Sequence, residues 1–241
     1  MINGSLFHNP KPSTATQLSF ALFFPVFTIV ALWVDSVYFT LHYFDARQLT
    51  NLLAVVYFSL FFYVAANELR KLMFVMVFLS YLGEWIFCKW LGMYAYRTDP
   101  IPLYVPFGHA IVYASGYVFA NTRRAIVNAK KLQGYFAIAF IALFVSVGIF
   151  LNDQFTLIFG ALFFVLLKRK RWQILYYFIA LCVIFIELVG TYFQCWAWVP
   201  KTFGIIPAVN PPMGAVFFYA GGDVLLAKIV NASKIKKSYN L

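Results

Sequence analysis

Residues 84–97 read EWIFCKWLGMYAYR, and residues 187–198 read ELVGTYFQCWAW. Each stretch places one glutamate within an apolar run and follows it with two aromatic residues separated by an alanine. A proline-containing loop comes next in both places, and Pro106 and Pro212 then open a further apolar run. This repeated order predicts a duplicated chain whose functional site is built from both copies.

The repeat continues beyond the prolines at a fixed offset. Gly108 and Gly214 lie 106 residues apart (214 − 108), and so do Tyr113 and Tyr219 (219 − 113). Four helices per copy give the two copies the same orientation, so we predict a parallel repeat with its axis along the membrane normal. The third, fourth, seventh and eighth spans carry the matched acids and prolines, and we expect them to surround a central cavity.

The composition is that of a protein embedded in lipid. Of the 241 residues, 63% are hydrophobic, 21% are aromatic and only 11% are charged, and a soluble domain of this size could not bury so much apolar surface. The net charge of +11 comes from basic residues in short loops between apolar runs, which is typical of membrane orientation and not of nucleic-acid binding. We predict an all-α, polytopic integral membrane helix bundle with no nucleic-acid partner.

Eight apolar runs are candidate transmembrane helices. They cover roughly residues 18–44, 51–67, 72–94, 105–121, 134–152, 155–167, 173–196 and 212–230. A helix needs about 20 residues to cross a ~30 Å hydrocarbon core, and the fourth and sixth runs are shorter than this. The sequence therefore predicts eight crossings, or six with a re-entrant hairpin formed by the fifth and sixth runs.

The runs and loops divide the chain into five predicted regions. These are an N-terminal tail (1–17), a first membrane repeat (18–121), a basic linker (122–133), a second membrane repeat (134–231) and a basic C-terminal tail (232–241). With eight crossings, fifteen of the nineteen Lys and Arg residues lie on one side. Because basic loops stay in the cytoplasm, we expect both termini to be cytoplasmic. The membrane is expected to be the inner membrane of a bacterial or archaeal cell.

Glu84 and Glu187 are expected near the centre of the bilayer. They precede their aromatic pairs by ten and nine residues (94 − 84, 196 − 187), which at 1.5 Å per residue puts each carboxyl roughly 14–15 Å below the outer interface. A charge there costs at least ~2.5 kcal/mol, so such residues face the bundle interior and are commonly functional. A carboxyl that keeps its proton in an apolar pocket is a general acid. The alternative is a neutral glutamate that only hydrogen-bonds a facing helix.

A polar stripe distinguishes the second copy. Glu187, Thr191, Gln194 and Trp198 follow a 4, 3, 4 spacing and share one face of a helix. The corresponding face of the first copy is markedly less polar. We therefore predict that the second copy holds more of the specific contacts and that Glu187 is the principal proton donor.

Other polar residues are expected to support Glu187. Gln194 and Asp223 are predicted to back it, and Glu84 is predicted to have a supporting role from the opposite copy. Asp223 lies about as deep in the last span as Glu187 does in its own, at a place where the first copy has Tyr117. The alternative for Asp223 is an ion pair with Lys228 or another partner on the cytoplasmic side.

Aromatic residues and one threonine are the predicted substrate-binding residues. They are Tyr94, Tyr96, Trp196, Trp198, Tyr113, Tyr117, Tyr219 and Thr191. Tyr and Trp also anchor helices at membrane–water interfaces, and this structural role is the alternative for the two aromatic pairs.

The remaining polar residues indicate an ion pair and a weak metal candidate. Asp35 and Lys89 lie in the outer halves of two spans and could pair with each other. His42 and His109 fall near the outer interface, but no local spacing joins them into a metal-binding motif. The three cysteines lie in apolar runs without metal-type spacing, and no nucleotide, phosphate or haem motif occurs. We therefore predict no metal and no cofactor.

The layout resembles membrane enzymes of carotenoid biosynthesis, of the carotenoid 1,2-hydratase type and of the duplicated lycopene cyclase domain. The residues that carry the resemblance are Glu84, residues 92–97 (GMYAYR) and Pro106, and again Glu187, residues 196–198 (WAW) and Pro212. It covers about 35 residues per copy. The cyclases carry a paired glutamate just after that proline, where this chain has Phe107-Gly108 and Met213-Gly214, which argues against cyclisation by that mechanism.

This resemblance implies a cofactor-independent lyase or isomerase that acts on a lipid-soluble isoprenoid. Protonating an alkene makes a carbocation, and aromatic faces stabilise cations without attacking them. A proton-coupled transporter and a noncatalytic subunit of a membrane complex are the alternatives, and a homo-oligomer is compatible with each. An apolar tunnel that ends at the glutamates favours the enzyme, a water-filled vestibule favours the transporter, and a filled interior favours the subunit.

Overall fold

A computed structural model describes residues 12–170 and 172–239, with residues 233–239 as backbone only. The described chain is mostly helical, and six helices are long and apolar enough to cross a membrane. These six cover Ala15–Val34, Arg47–Val64, Asn67–Trp90, Ala129–Phe150, Gln173–Tyr192 and Met213–Ala232. The prediction of a helical integral membrane protein is confirmed at this level. Most of the predicted N-terminal tail, Arg171 of a basic loop and the last two residues lie outside the described residues.

The helices follow one another with short connections. They are α1 (Ala15–Val34), α2 (Val37–His42), α3 (Arg47–Val64), α4 (Asn67–Glu84), α5 (Tyr104–Ala120), α6 (Arg123–Val127), α7 (Ala129–Phe150), α8 (Gln154–Lys168), α9 (Gln173–Tyr192) and α10 (Val216–Tyr239). A π-helical turn (Trp85–Trp90) extends α4, and a 3₁₀ turn (Met213–Ala215) precedes α10. The short strands are β1 (Tyr94–Tyr96), β2 (Trp196–Trp198), β3 (Lys201–Thr202) and β4 (Ile206–Pro207).

All eight predicted apolar runs form helices, but the helices do not all have the predicted length. The fourth and sixth runs correspond to α5 and α8, which have 17 and 15 residues. At 1.5 Å per residue they extend about 25 and 22 Å, less than a typical hydrocarbon core. The C-terminal tail predicted from residue 232 continues as the backbone of α10.

Three predicted runs end earlier than expected. The first breaks after α1, where the Ser36 side chain accepts a hydrogen bond from the Phe39 amide and begins α2. The third changes from α to π geometry after Glu84, and the seventh ends at Tyr192, before Gln194. Because apolar residues lie on both sides of each break, a hydropathy pattern does not show where these helices end.

α5 is the central helix of the bundle. It packs against α1, α3, α4 and α9, and most of its residues are buried. The closest approach is at Gly116, where a Cβ atom would overlap the backbone of Ile179 on α9. Close packing of helices through small residues is the usual mode of association in membranes.

The contact at Gly116 allows a stability prediction with a matched control. Gly116→Ala inserts a methyl group where the α9 backbone cannot yield, and overpacking of this kind costs about 1–3 kcal/mol. Gly134→Ala, within α7, meets no atom within 4 Å and is expected to stabilise by about 0.5–1 kcal/mol through helix propensity. Thermal unfolding in detergent measures both changes. Equal effects of the two substitutions would contradict the packing of α5 on α9.

A buried ionic cluster lies near the C-terminal end of α1. Asp35 is fully buried and accepts hydrogen bonds from Arg47 (Nε, 3.0 Å), from Arg97 (Nη2, 3.0 Å) and from the Tyr104 hydroxyl (2.8 Å). Arg97 also pairs with Asp45 at 2.6 Å, and this hydrogen bond lowers the pKa of Asp45. The cluster joins α1, α3, α5 and the segment after β1.

The predicted ion pair between Asp35 and Lys89 is therefore wrong. Lys89 pairs with Asp99, at 2.9 Å between Nζ and Oδ1, on the surface. Asp35 takes the two arginines instead, because a planar guanidinium can bind a buried carboxylate through two parallel hydrogen bonds.

Candidate functional site

The first aromatic pair folds back onto its own glutamate. The hydroxyl groups of Tyr94 and Tyr96 lie 2.8 and 2.5 Å from Oε2 of Glu84. His109, on α5, places Nε2 2.8 Å from Oε1 of the same carboxyl group. Glu84 is buried at the end of α4 and has three side-chain partners.

The second aromatic pair repeats this arrangement around Glu187. The indole nitrogens of Trp196 and Trp198 donate to Oε2 at 2.9 and 3.0 Å. The hydroxyl group of Tyr219, on α10, lies 2.8 Å from Oε1. An indole N–H can only donate, so Oε2 accepts both bonds, and Oε1 is the only position left for a proton on this carboxyl group.

Matching backbone reversals bring each pair under its glutamate. Gly92 and Gln194 both have φ of +58°, and each stands two residues before its aromatic pair. This left-handed residue ends the helix and reverses the chain direction, so that the aromatic pair of the following strand contacts the glutamate of the preceding helix. Sequence alone shows the glycine but gives no signal for the glutamine.

The two strands bring the glutamate clusters together. β1 and β2 pair antiparallel, with Tyr94 opposite Trp198, Tyr96 opposite Trp196 and the two alanines at the centre. The Tyr94 and Trp198 ring centroids are 4.8 Å apart, and the Tyr96 and Trp196 centroids are 6.2 Å apart. The short ribbon therefore presents four aromatic donors to two carboxyl groups.

The rings of His109 and Tyr219 connect the two glutamates from the helical side. They are stacked, with centroids 5.0 Å apart and an interplanar angle of 14°. Each ring contacts the Oε1 atom of its own glutamate. Glu84, His109, Tyr219 and Glu187 thus lie in one row, joined by two hydrogen bonds and one ring stack.

The strand tyrosines keep their protons. Burial, with the neighbouring Glu84 carboxyl adding to it, raises the pKa of Tyr94 and of Tyr96 well above the usual range. Both phenols are therefore hydrogen-bond donors to Glu84 over the whole physiological pH range.

Both glutamate clusters face one cavity of about 150 Å³. Its walls come from α1, α3, α4, α5, α9 and α10, so the four spans that carry the matched acids and prolines do meet around it. Most of the lining is apolar and includes Phe24, Met76 and Ile179. Tyr113 and Asp223 line the same cavity one helical turn further along α5 and α10 than His109 and Tyr219.

The polar stripe expected on the seventh span is wrong beyond Thr191. The side chain of Gln194 is exposed and lies outside α9, and Trp198 belongs to β2. The Thr191 hydroxyl donates to the backbone oxygen of Glu187 at 2.7 Å. Neither Gln194 nor Thr191 lines the cavity.

The other predicted residues divide between the cavity and the rest of the bundle. Tyr94, Tyr96, Trp196 and Trp198 all line the cavity, and their polar atoms contact the glutamates. Tyr117 does not line it; its ring lies 6.3 Å from that of Tyr113 and 6.0 Å from that of Trp172.

The two histidines have separate surroundings. His42 stacks on Tyr38 and contacts the Tyr38 carbonyl oxygen, whereas His109 contacts Glu84. Within residues 12–170 and 172–232, no group of three or more His, Cys, Asp or Glu could hold a metal ion. Sequence reasoning treated His109 only as a weak metal candidate. Its position one helical turn before Tyr113 is the signal that would have placed it in the cavity.

Comparison of the chain with known protein families, with curated proteins and with solved structures gives no match.

Proposed function

We propose that the chain is a membrane enzyme that transfers a proton to an apolar, unsaturated lipid held between Glu84 and Glu187. The observation that carries the proposal is the pair of buried carboxyl groups, each with three side-chain partners, facing one mostly apolar cavity. Carboxyl groups are costly in lipid, and two of them directed into one cavity favour chemistry over structural support. No step of the proposal requires a metal or an organic cofactor.

Glu84 with His109 is the proton-carrying pair of this proposal. An imidazole can accept and donate a proton near neutral pH, whereas the indole partners of Glu187 can only donate hydrogen bonds. This reverses the order expected from the sequence, because the Gln194 side chain that favoured Glu187 is exposed. Glu187 is then the fixed negative group that stabilises positive charge on the substrate.

The reaction is written as an alkene protonation. The Glu84 carboxyl group gives its proton to one alkene carbon, the π electrons form the new C–H bond, and the neighbouring carbon becomes a cation. The aromatic rings of β1 and β2 stabilise that cation. Addition of water to the cation and transfer of one water proton to the Glu84 carboxylate gives an alcohol, whereas loss of a carbon-bound proton to the same carboxylate gives an isomer. Either proton loss returns the site to its starting charge.

A proton-coupled transporter is the second candidate, and one observation favours it. Glu84, Glu187 and Asp223 line a single cavity at more than one depth, as a proton path would require. The mostly apolar lining favours the enzyme. A noncatalytic subunit is expected to have a filled interior, so the cavity disfavours that alternative.

The proposed setting is a bacterial or archaeal inner membrane, with two parallel repeats of four crossings and cytoplasmic termini. A homo-oligomer or a larger membrane complex is compatible with this arrangement. The proposal rests on the eight apolar runs of the sequence and on the fifteen-to-four distribution of basic residues that they imply.

Cysteine labelling tests this topology, and the native cysteines are buried, so they give little background. Lys201→Cys and Leu151→Cys, both at exposed positions, are expected to react with an impermeant maleimide in intact cells. Asn128→Cys is expected to react only after permeabilisation. An unreactive Leu151→Cys beside a reactive Lys201→Cys would indicate a re-entrant α7–α8 hairpin. Reactivity of Asn128→Cys in intact cells would contradict the orientation.

Comparison of lipid extracts tests the enzymatic function. Cells that express the wild-type chain are compared, by mass spectrometry, with cells that express the Glu84→Gln, Glu187→Gln double variant. We expect one lipid to be depleted only by the wild type, with a product that has gained one water or has kept its mass. Identical extracts, together with proton flux into proteoliposomes, would support the transporter instead.

A further inference from the structure

The inner end of the cavity holds two polar atoms without partners. Within residues 12–170 and 172–232, neither the Tyr113 hydroxyl oxygen nor Oδ2 of Asp223 has a hydrogen-bond partner, although both are buried. Tyr113 is 1% exposed and Asp223 is 4% exposed, and both residues line the cavity. A buried polar group without a partner costs about 1–3 kcal/mol, and more when it is charged. Such a cost is compensated when a ligand supplies the missing bonds.

The described residues around Asp223 supply no hydrogen bond or ion pair that would satisfy its buried Oδ2 atom. The carboxyl group lies near enough to Tyr113 and Tyr176 to interact electrostatically with both phenols. The ion pair with Lys228, which is the alternative to a functional role, is not formed between these described side chains, because the lysine is exposed and the carboxyl group is buried. The carboxyl group therefore faces phenols and open space.

The residues that carry the two orphan atoms each lie one helical turn beyond the His109–Tyr219 stack. Asp223 is four residues after Tyr219 on α10, and Tyr113 is four residues after His109 on α5. Each pair shares a helical face, so Tyr113 and Asp223 lie about 6 Å along the helices from the His109–Tyr219 stack. Gly222 lines the cavity beside them, and a Cβ on it would meet no atom within 4 Å.

We propose that Tyr113 and Asp223 form a separate subsite that binds a hydroxyl group on the substrate. An alcohol donates one hydrogen bond, which Asp223 Oδ2 accepts, and it accepts one, which the Tyr113 phenol donates. An ammonium group would bring further N–H donors into apolar surroundings and leave them unpaired. The substrate class is therefore an unsaturated lipid alcohol whose reacting double bond lies about one helical turn from its oxygen. The reacting double bond in this description rests on the proposed function, whereas binding of the hydroxyl group does not depend on it.

Binding of a matched pair of probes tests the subsite without any turnover. Geranylgeraniol and its methyl ether have the same chain, but only the alcohol can donate a hydrogen bond. Detergent-solubilised protein is equilibrated with each probe, and the retained lipid is quantified by mass spectrometry. We expect the wild type to bind the alcohol about tenfold more tightly than the ether, the value of one ordinary hydrogen bond.

Variants assign the two hydrogen bonds to the two residues. Asp223→Leu is expected to remove most of the preference for the alcohol, because only the alcohol can donate to Asp223. Tyr113→Phe is expected to weaken binding of both probes, because either oxygen can accept from the phenol, and Glu84→Gln is expected to keep the preference. Equal binding of alcohol and ether by the wild type would overturn the proposal. That result is expected if a bound water molecule, and not the hydroxyl group of the lipid, fills the subsite. Unchanged binding of both probes by Tyr113→Phe would overturn it too, even if Asp223→Leu fails to fold. An alcohol preference in a protein that transfers no proton to lipid would leave the subsite standing and the proposed function refuted.

Discussion

Glu84→Gln is expected to reduce lipid turnover by about 10²–10⁴-fold, the usual loss when a general acid is removed. Glutamine keeps the shape of the side chain, and its carbonyl oxygen can still accept hydrogen bonds from Tyr94 and Tyr96. Its amide can donate to His109, so the fold is preserved while the transferable proton is lost. The measurement is conversion of the depleted lipid by membranes that contain equal amounts of each variant.

Glu187→Gln is the matched comparison for this prediction. Its carbonyl oxygen can still accept from Trp196 and Trp198, but the negative charge that stabilises a substrate cation is gone. Asp99→Asn removes an exposed carboxylate and is expected to leave turnover unchanged. Full activity of Glu84→Gln beside an inactive Glu187→Gln would reverse the roles of the two acids. Full activity of both would refute the acid mechanism.

Asp35→Ala is expected to cause the largest loss of stability, about 3–5 kcal/mol. The substitution leaves the guanidinium groups of Arg47 and Arg97 buried without their shared carboxylate, and both side chains are about one-tenth exposed. The penalty comes from the buried Arg47 charge left without a carboxylate and from Arg97 left with Asp45 alone, and not from the strength of one ion pair. Thermal unfolding in detergent measures the loss.

Asp99→Asn is the control for this second prediction. It breaks the Lys89–Asp99 pair, in which the aspartate side chain is 97% exposed, and solvent-exposed pairs of this kind contribute little to stability. A melting temperature of Asp35→Ala equal to that of Asp99→Asn would contradict the buried cluster that joins α1, α3 and α5.

The helices and the glutamates could be predicted from sequence because both depend on local patterns. Long apolar runs predict helices in lipid, and an isolated acid within such a run predicts an inward-facing site. The shared Glu–aromatic–x–aromatic order predicted that both stretches contribute to one site, and both glutamates and both aromatic pairs line one cavity. The number of crossings and the parallel repeat stay predictions.

The contacts within the site could not be predicted because they depend on where each helix ends. A helix continued through Gln194 and Trp198 gives a polar stripe, whereas a left-handed residue at Gln194 gives an exposed amide and an inward-facing indole. Asp35 shows the same limit, since it is twelve residues from Arg47 but sixty-two from Arg97 along the chain. A hydropathy pattern does not identify Arg47 or Arg97 as a partner of Asp35.

Deuterium incorporation tests proton transfer to carbon most directly. Purified protein is incubated in D₂O with the lipid that only the wild type depletes, and the product is analysed by mass spectrometry after its exchangeable positions are returned to hydrogen. We expect one carbon-bound deuterium in the wild-type product and none above background with Glu84→Gln. Product that forms in D₂O without carbon-bound deuterium would contradict protonation of the substrate at this site.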